Sequence, residues 1–233
     1  MQEKGCFVVG ADISKISVKN ARLRAFEQNN GNRTEFIAAD AYNMPFKEAS
    51  FDVLITEFVS QFLDKERAFS EFLRVLKPNG YAGINEMYRD SRLEPRIEEK
   101  INEAEIIFSE VTGLNFSMHT PEEWKYYFEE TGFKNIKIHK HRPYEGLKDI
   151  SSTLKAMGGL PNTVNIILRM LEYMVLSKSI RMRFKRLDKG KRIIFNNRST
   201  RKHAGYILGV ARKSPDVPEV NVSRTQESKG LLR

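Results

Sequence analysis

The sequence predicts an α/β domain in which a mainly parallel sheet carries helices on both faces, with a helical insertion late in the chain. Three observations carry this. Short runs of β-forming residues alternate with helical patterns through about the first 85 residues, and strands joined through helices run parallel in one covered sheet. The 233 residues are enough for one sizeable domain, or one domain with an insertion. Hydrophobic residues at 40% and charged residues at 30% exclude a wholly disordered chain, a collagen and a coiled coil.

In chain order, Cys6-Phe7-Val8-Val9-Gly10-Ala11 reads as a strand and leads through Asp12-Ile13-Ser14 into a helix marked by Ile16, Ala21, Leu23 and Phe26. Ser14 is its candidate N-cap. Asn29 to Asn32 break that helix, and residues 34–39 form a second strand ending at Asp40. A loop with Pro45 precedes a third strand over 51–56, and a helix over about 65–76 is stopped by Lys77-Pro78-Asn79-Gly80. A fourth strand covers 81–85, placing Glu86 just past its end. Residues 93–111 read as helix, and 121–130 as another, with Thr120 as cap and Pro121 at its first position. Residues 135–139 and 204–211 read as the last two strands, with about 60 helical residues between them.

The single cysteine, Cys6, excludes an intramolecular disulfide. With no leader pattern visible, the expected location is cytoplasmic, with peripheral membrane contact as an extension. The most apolar stretch, Val164 to Leu176, is interrupted by Arg169 and Glu172 and is shorter than the roughly 20 residues a membrane-spanning helix needs. The net charge of +9 is not evenly spread. Residues 1–164 hold 22 basic and 25 acidic side chains, whereas residues 165–213 hold 14 and 2. Any anionic partner is therefore expected at the late segment.

Ligands of open parallel sheets bind beyond the carboxyl ends of the strands, where this sequence places Asp12, Asp40, Glu57 and Glu86. A carboxylate offers two acceptor oxygens and suits a ribose diol; as an alternative, Asp12 caps the following helix. Five segments in order, Val8-Val9-Gly10-Ala11-Asp12-Ile13-Ser14, Phe36-Ile37-Ala38-Ala39-Asp40-Ala41, Met44-Pro45-Phe46, Ser50-Phe51-Asp52-Val53-Leu54 and Leu73-Arg74-Val75-Leu76-Lys77-Pro78-Asn79-Gly80-Tyr81, resemble the class I S-adenosylmethionine-dependent methyltransferases, in particular their small-molecule, quinone-biosynthesis-like branch. The close resemblance covers residues 6–87. It implies a Rossmann-like transferase with S-adenosyl-L-methionine as cofactor, Asp12 on the ribose hydroxyls, Ile13 against the adenine, Asp40 on the adenine amino group and Ala41 giving a backbone donor. Glu57 and Phe58 would line the methionine end and the methyl-transfer path, and the acceptor would be small or lipid-like.

The sequence departs from that family at its start, where the family has an earlier strand and a glycine-rich turn. This strand belongs at the centre of the sheet, between the strands at 6–11 and 51–56, so two strand edges are expected to lack partners. The leading expectation is that the sequence starts inside the domain; a partner-supplied piece and a rearranged fold are the alternatives. The chain by itself is expected to bind the cofactor weakly or not at all. The domain then comprises residues 1–143 and 203–213, the insertion 144–202, and a disordered tail 214–233.

No catalytic residue is assigned. His119, His139, His141, Glu86 and Tyr88 are candidate bases, each read more readily as structural or exposed, and no metal-ligand spacing is present. In the insertion, Val164, Ile167, Leu168, Leu171, Met174 and Val175 recur at helical spacing, and the basic residues of 178–192 follow, interleaved with Ile180, Met182, Phe184 and Leu187. The leading reading is a lid helix packed by its apolar face with its charges in water. The functional versions are contact with an anionic membrane surface and, less favoured because stacking aromatics are few, with nucleic acid. Two rival functions remain open: a nicotinamide-dependent Rossmann oxidoreductase, and a degenerate methyltransferase-like module that binds a membrane or nucleic acid without catalysis.

Overall fold

The computed structural model describes residues 5–27, 33–141, 175 and 177–215. The chain runs β1 (Val8–Asp12), α1 (Lys15–Glu27), β2 (Thr34–Ala38), β3 (Phe51–Glu57), α2 (Lys65–Val75), β4 (Leu76–Arg89), α3 (Pro95–Thr112), α4 (Pro121–Thr131), β5 (Phe133–His141), α5 (Lys178–Lys191) and β6 (Ala204–Lys213). The amphipathic stretch expected over Val164–Val175, apart from Val175, and the tail beyond residue 215 lie outside the described residues.

Two sheets result. β1 pairs in parallel with β2, while the larger sheet has the order β3-β4-β6-β5. There β3 and β4 are parallel, and β6 is antiparallel to both β4 and β5, so β5 points the same way as β4. No ladder joins β1 to β3, so that edge of β3 has no strand partner among the described residues, and β3 carries Val53 and Ile55, each about half exposed.

The larger sheet gains its stability on the face lined by Ala82, Ile84 and Tyr88. Against it α2 lays Ala68, Phe69, Phe72 and Leu73, and α4 adds Trp124 and Phe128; the Phe69 ring lies 4.8 Å from Phe128. Burying each such side chain contributes roughly 1.5–3 kcal/mol. Caps fix where these helices start. Asp64 accepts from the Arg67 amide at 2.9 Å, and Thr120 and Glu123 bond each other's backbone amides at 3.1 and 2.6 Å ahead of Pro121. On the opposite face, Met87 packs with Ile97, Ile101, Phe108 and Ile194 beneath α3, but Tyr81, Leu208 and Val210 stay exposed.

The predicted break at Lys77–Gly80 is a bulge inside a longer strand. Phe51 pairs with Leu76, and the register then shifts so that Val53 pairs with Tyr81. Asn79 takes up the turn with a left-handed φ of 67°. At Gly80 a β-carbon would lie 2.9 Å from the Lys77 carbonyl and 3.0 Å from that of Asp52, and neither backbone oxygen can move without opening the β3–β4 ladder. Gly80→Ala is therefore expected to destabilise the domain by about 1–3 kcal/mol in urea unfolding; an unchanged midpoint contradicts this packing.

Candidate active site

Asp12 closes β1, and its carboxylate accepts from the Ser14 amide at 2.7 Å. Ser14 in turn caps α1 by accepting from the Ser17 amide at 3.2 Å. One Asp12 oxygen thus serves the turn, and its second oxygen has no bonding partner among the described residues. Ile13 beside it is 77% exposed, an apolar surface at the mouth of a strand.

Asp40 sits at the end of the neighbouring strand. Asp12 pairs with Ala38, and the Ala39 amide donates to the Asp12 carbonyl at 3.0 Å, so both carboxylates stand at the carboxyl end of one parallel pair. The Asp40 side chain accepts from the Tyr42 amide at 2.9 Å. The loop that follows is tied to the larger sheet. The Met44 amide donates to Glu71 at 2.6 Å, and Arg74 donates to the Phe46 and Met44 carbonyls at 2.8 and 3.1 Å. Ala41, Tyr42, Met44 and Phe46 pack on its core. Met44-Pro45-Phe46 is thus the anchor that fixes Asp40 and Ala41 relative to the larger sheet.

Glu57 is exposed at the end of β3 and accepts from the Asn85 side-chain amide at 3.3 Å. Phe58 follows with a left-handed φ of 53°, held by its amide donating to the Asn85 carbonyl at 2.9 Å. Its ring meets Tyr206 edge-on at 5.4 Å, and Tyr206 stacks on Phe195 at 5.8 Å. Sequence reasoning did not single out Asn85, Tyr206 or Phe195, because β6 and the stretch before it approach β3 across β4 through long-range pairing with no local signature.

Glu86 is not past a strand end. β4 continues to Arg89, and Glu86 is fully buried on the face that meets the turn at 58–62. It accepts from the Val59 and Ser60 amides at 3.2 and 2.8 Å, and its other oxygen is without a partner among the described residues. Burial raises its pKa above the usual carboxylate range. Nearby, Lys65 donates to the Leu63 and Gln61 carbonyls at 2.8 and 3.4 Å, and burial lowers its pKa to about 8. His119 is pushed down to about 4, by burial first and then by the Lys65 charge. Its Nδ1 lies 3.2 Å from the Tyr127 hydroxyl. Glu86 and Lys65 thus bond the backbone of the turn that follows Glu57 and Phe58. Tyr88 is buried, while His139 and His141 are exposed on β5. Among the described residues no cluster could hold a metal ion.

A family model for the methyltransferase domain matches residues 1–84. An uncharacterised protein of Haemophilus influenzae is 30% identical over 135 residues, covering 57% of this chain and 51% of that protein. A demethylmenaquinone methyltransferase of Thermus thermophilus is 38% identical over 77 residues, covering 33% of this chain and 34% of that enzyme. The matched part therefore spans between about a third and about half of these relatives' length. Among solved structures, a protein described as a sarcosine dimethylglycine methyltransferase from Galdieria sulphuraria superimposes with a TM-score of 0.62 at 14% identity, covering 90% of this chain and 70% of that one. Residues 1–84 thus resemble the class I S-adenosylmethionine-dependent methyltransferases in sequence, and the chain shares the fold of a solved structure described as one.

Proposed function

We propose that the chain takes part in methyl transfer from S-adenosylmethionine to a small or lipid-like acceptor, with the cofactor held across the tips of β1 and β2. The observation that carries this reading is the placement of two exposed carboxylates, Asp12 and Asp40, at the same end of one parallel strand pair, with the bare side chain of Ile13 between α1 and the strand. These residues fit the group. The open oxygen of Asp12 can accept from a ribose hydroxyl, Ile13 offers an apolar seat for the adenine, Asp40 can accept from its amino group, and Ala41 supplies a backbone donor. When bound, the cofactor supplies a methyl group activated by the positive charge on its sulfur.

The chain's own residues then have to align an acceptor and keep water out, since in-line positioning can supply most of the catalysis in a displacement of this kind. Phe58, Tyr206 and Phe195 form an aromatic wall beside Glu57, and it suits an acceptor with an apolar body. Burial raises the Tyr206 pKa, so its hydroxyl remains protonated at neutral pH and can donate. His119 is neutral and bonded to Tyr127, and Glu86 is committed to the turn, so neither is free to take a proton from an acceptor. The dinucleotide alternative is less favoured because the anchor at Met44-Pro45-Phe46 is a feature of the methyltransferase resemblance.

Cofactor affinity should be low in this chain, because β1 and β3 belong to separate ladders and ordering their tips consumes binding energy. Titration calorimetry is expected to give a Kd for S-adenosylhomocysteine weaker than about 0.1 mM, weakened a further tenfold or so by Asp12→Ala. Micromolar binding contradicts the low affinity, and tighter binding of a nicotinamide dinucleotide contradicts the cofactor assignment. A pH effect follows from His119. Its folded pKa lies below the unfolded value of 6.5, so its contribution is intact above that pH and is lost as pH falls towards 4. Unfolding free energies of wild type and His119→Gln should converge by on the order of 3 kcal/mol between pH 7 and pH 4; a constant difference contradicts a buried neutral imidazole.

A further inference from the structure

The strongest charge on the molecule lies outside the candidate active site, on α5. This helix is held down by its apolar side. Leu187 and Ile194 join the cluster beneath α3, and Gly190 is buried where a β-carbon would come within 3.3 Å of Ile107 and Phe108. Acids of α3 neutralise the flank. Arg186 pairs with Glu110, and Lys189 with Glu103 at 2.7 Å, while Arg192 pairs within its own segment with Asp188 at 2.8 Å.

What remains, on the N-terminal turns of the same helix, is an exposed basic stripe. Lys178, Arg181, Met182 and Lys185 follow one another at positions i, i+3, i+4 and i+7, which is one side of a helix. All four are exposed, Met182 at 54%. The three cations have no hydrogen bond or ion pair among the described residues. Arg183 and Lys191, elsewhere on the helix, and Arg198 and Lys202, after it, are exposed as well. The aromatic side chain of this helix, Phe184, is only partly exposed. The exposed stripe thus offers cations and one flexible apolar side chain, with no ring to stack on a base.

We propose that this face of α5 docks the protein on an anionic lipid surface, with Lys178, Arg181 and Lys185 at the headgroups and Met182 dipping below them. Charge complementarity carries the choice of partner. Each unpaired cation near an anionic leaflet strengthens partition about fivefold, a methionine adds the apolar contact that a nucleic-acid backbone cannot use, and the missing rings remove the usual grip on single strands. The docking does not depend on the methyl-transfer reading. It does fix an orientation, because the segment that continues from α5 carries Phe195 of the aromatic wall.

Sedimentation of the full chain with phosphatidylcholine vesicles containing about 30% phosphatidylglycerol tests this. Binding is expected at about 0.05 M salt, with loss of most of it at about 0.5 M and on vesicles of phosphatidylcholine alone. Lys178→Gln, Arg181→Gln and Lys185→Gln together should weaken binding about a hundredfold, and Met182→Asp alone should also reduce it, with circular dichroism showing that both variants keep their helix content. Absence of binding to the anionic vesicles at low salt, an unaffected triple variant, or tighter binding to a single-stranded RNA in a parallel titration overturns the proposal.

Discussion

The pairing of β4 along both of its edges is the interaction on which the rest of the structure depends. β3 runs along one edge in parallel and β6 along the other in antiparallel, so Tyr81 to Asn85 are paired on both sides and Glu86 to Arg89 on the β6 side. One face of this strand receives α2 and α4 with their aromatic core, and the other receives α3 and the segment after α5 near its carboxyl end. The same strand positions the site. Asn85 holds Glu57 and the Phe58 amide, and Glu86, one residue on and pointing to the other face, holds the amides of Val59 and Ser60. A turn with a left-handed phenylalanine persists there because the Asn85 carbonyl and the buried Glu86 carboxylate together hold its amides.

The β1–α1–β2 unit is organised differently. Its two strands pair with each other, but the ladder does not continue to β3, and Ile16, Leu23 and Phe26 of α1 are exposed. What places this unit is the loop from Asp40 to Phe46, which Glu71 and Arg74 grip from α2. The carboxylates proposed to face the cofactor therefore stand on the less supported part of the molecule, while the proposed acceptor wall stands on the part with the larger buried core. Local opening should begin in the first unit, where few apolar groups are buried.

Much of this was legible in the sequence, and the remainder has identifiable causes. The six strands among the described residues and the helices flanking them follow from runs of β-formers, capping residues such as Ser14 and Thr120, and glycine or proline punctuation, because those signals are local. The extent of β4 was not legible, since Lys77-Pro78-Asn79-Gly80 reads as a stop and becomes a bulge through its fit against β3. For the same reason Glu86 was placed one element too late and its burial was missed. Asp12, Ile13, Asp40, Ala41 and Glu57 all sit at carboxyl ends of strands, where alternation of strand and helix puts them. Tyr206 and Phe195 reach the same place through the antiparallel return of β6, which no short window of sequence contains. The charge surplus of the late segment was visible, whereas its division into residues paired with α3 and residues of the exposed stripe required the helix to be seen in place.

The central claim is that a nucleoside sits across the tips of β1 and β2. It is tested most directly by backbone amide spectra of the labelled chain recorded during addition of S-adenosylhomocysteine. The account predicts that the largest shifts fall at Ile13 and Ala41, with the Gly80 bulge and α5 unmoved. Shifts concentrated elsewhere, with those two amides unchanged at saturation, would contradict it.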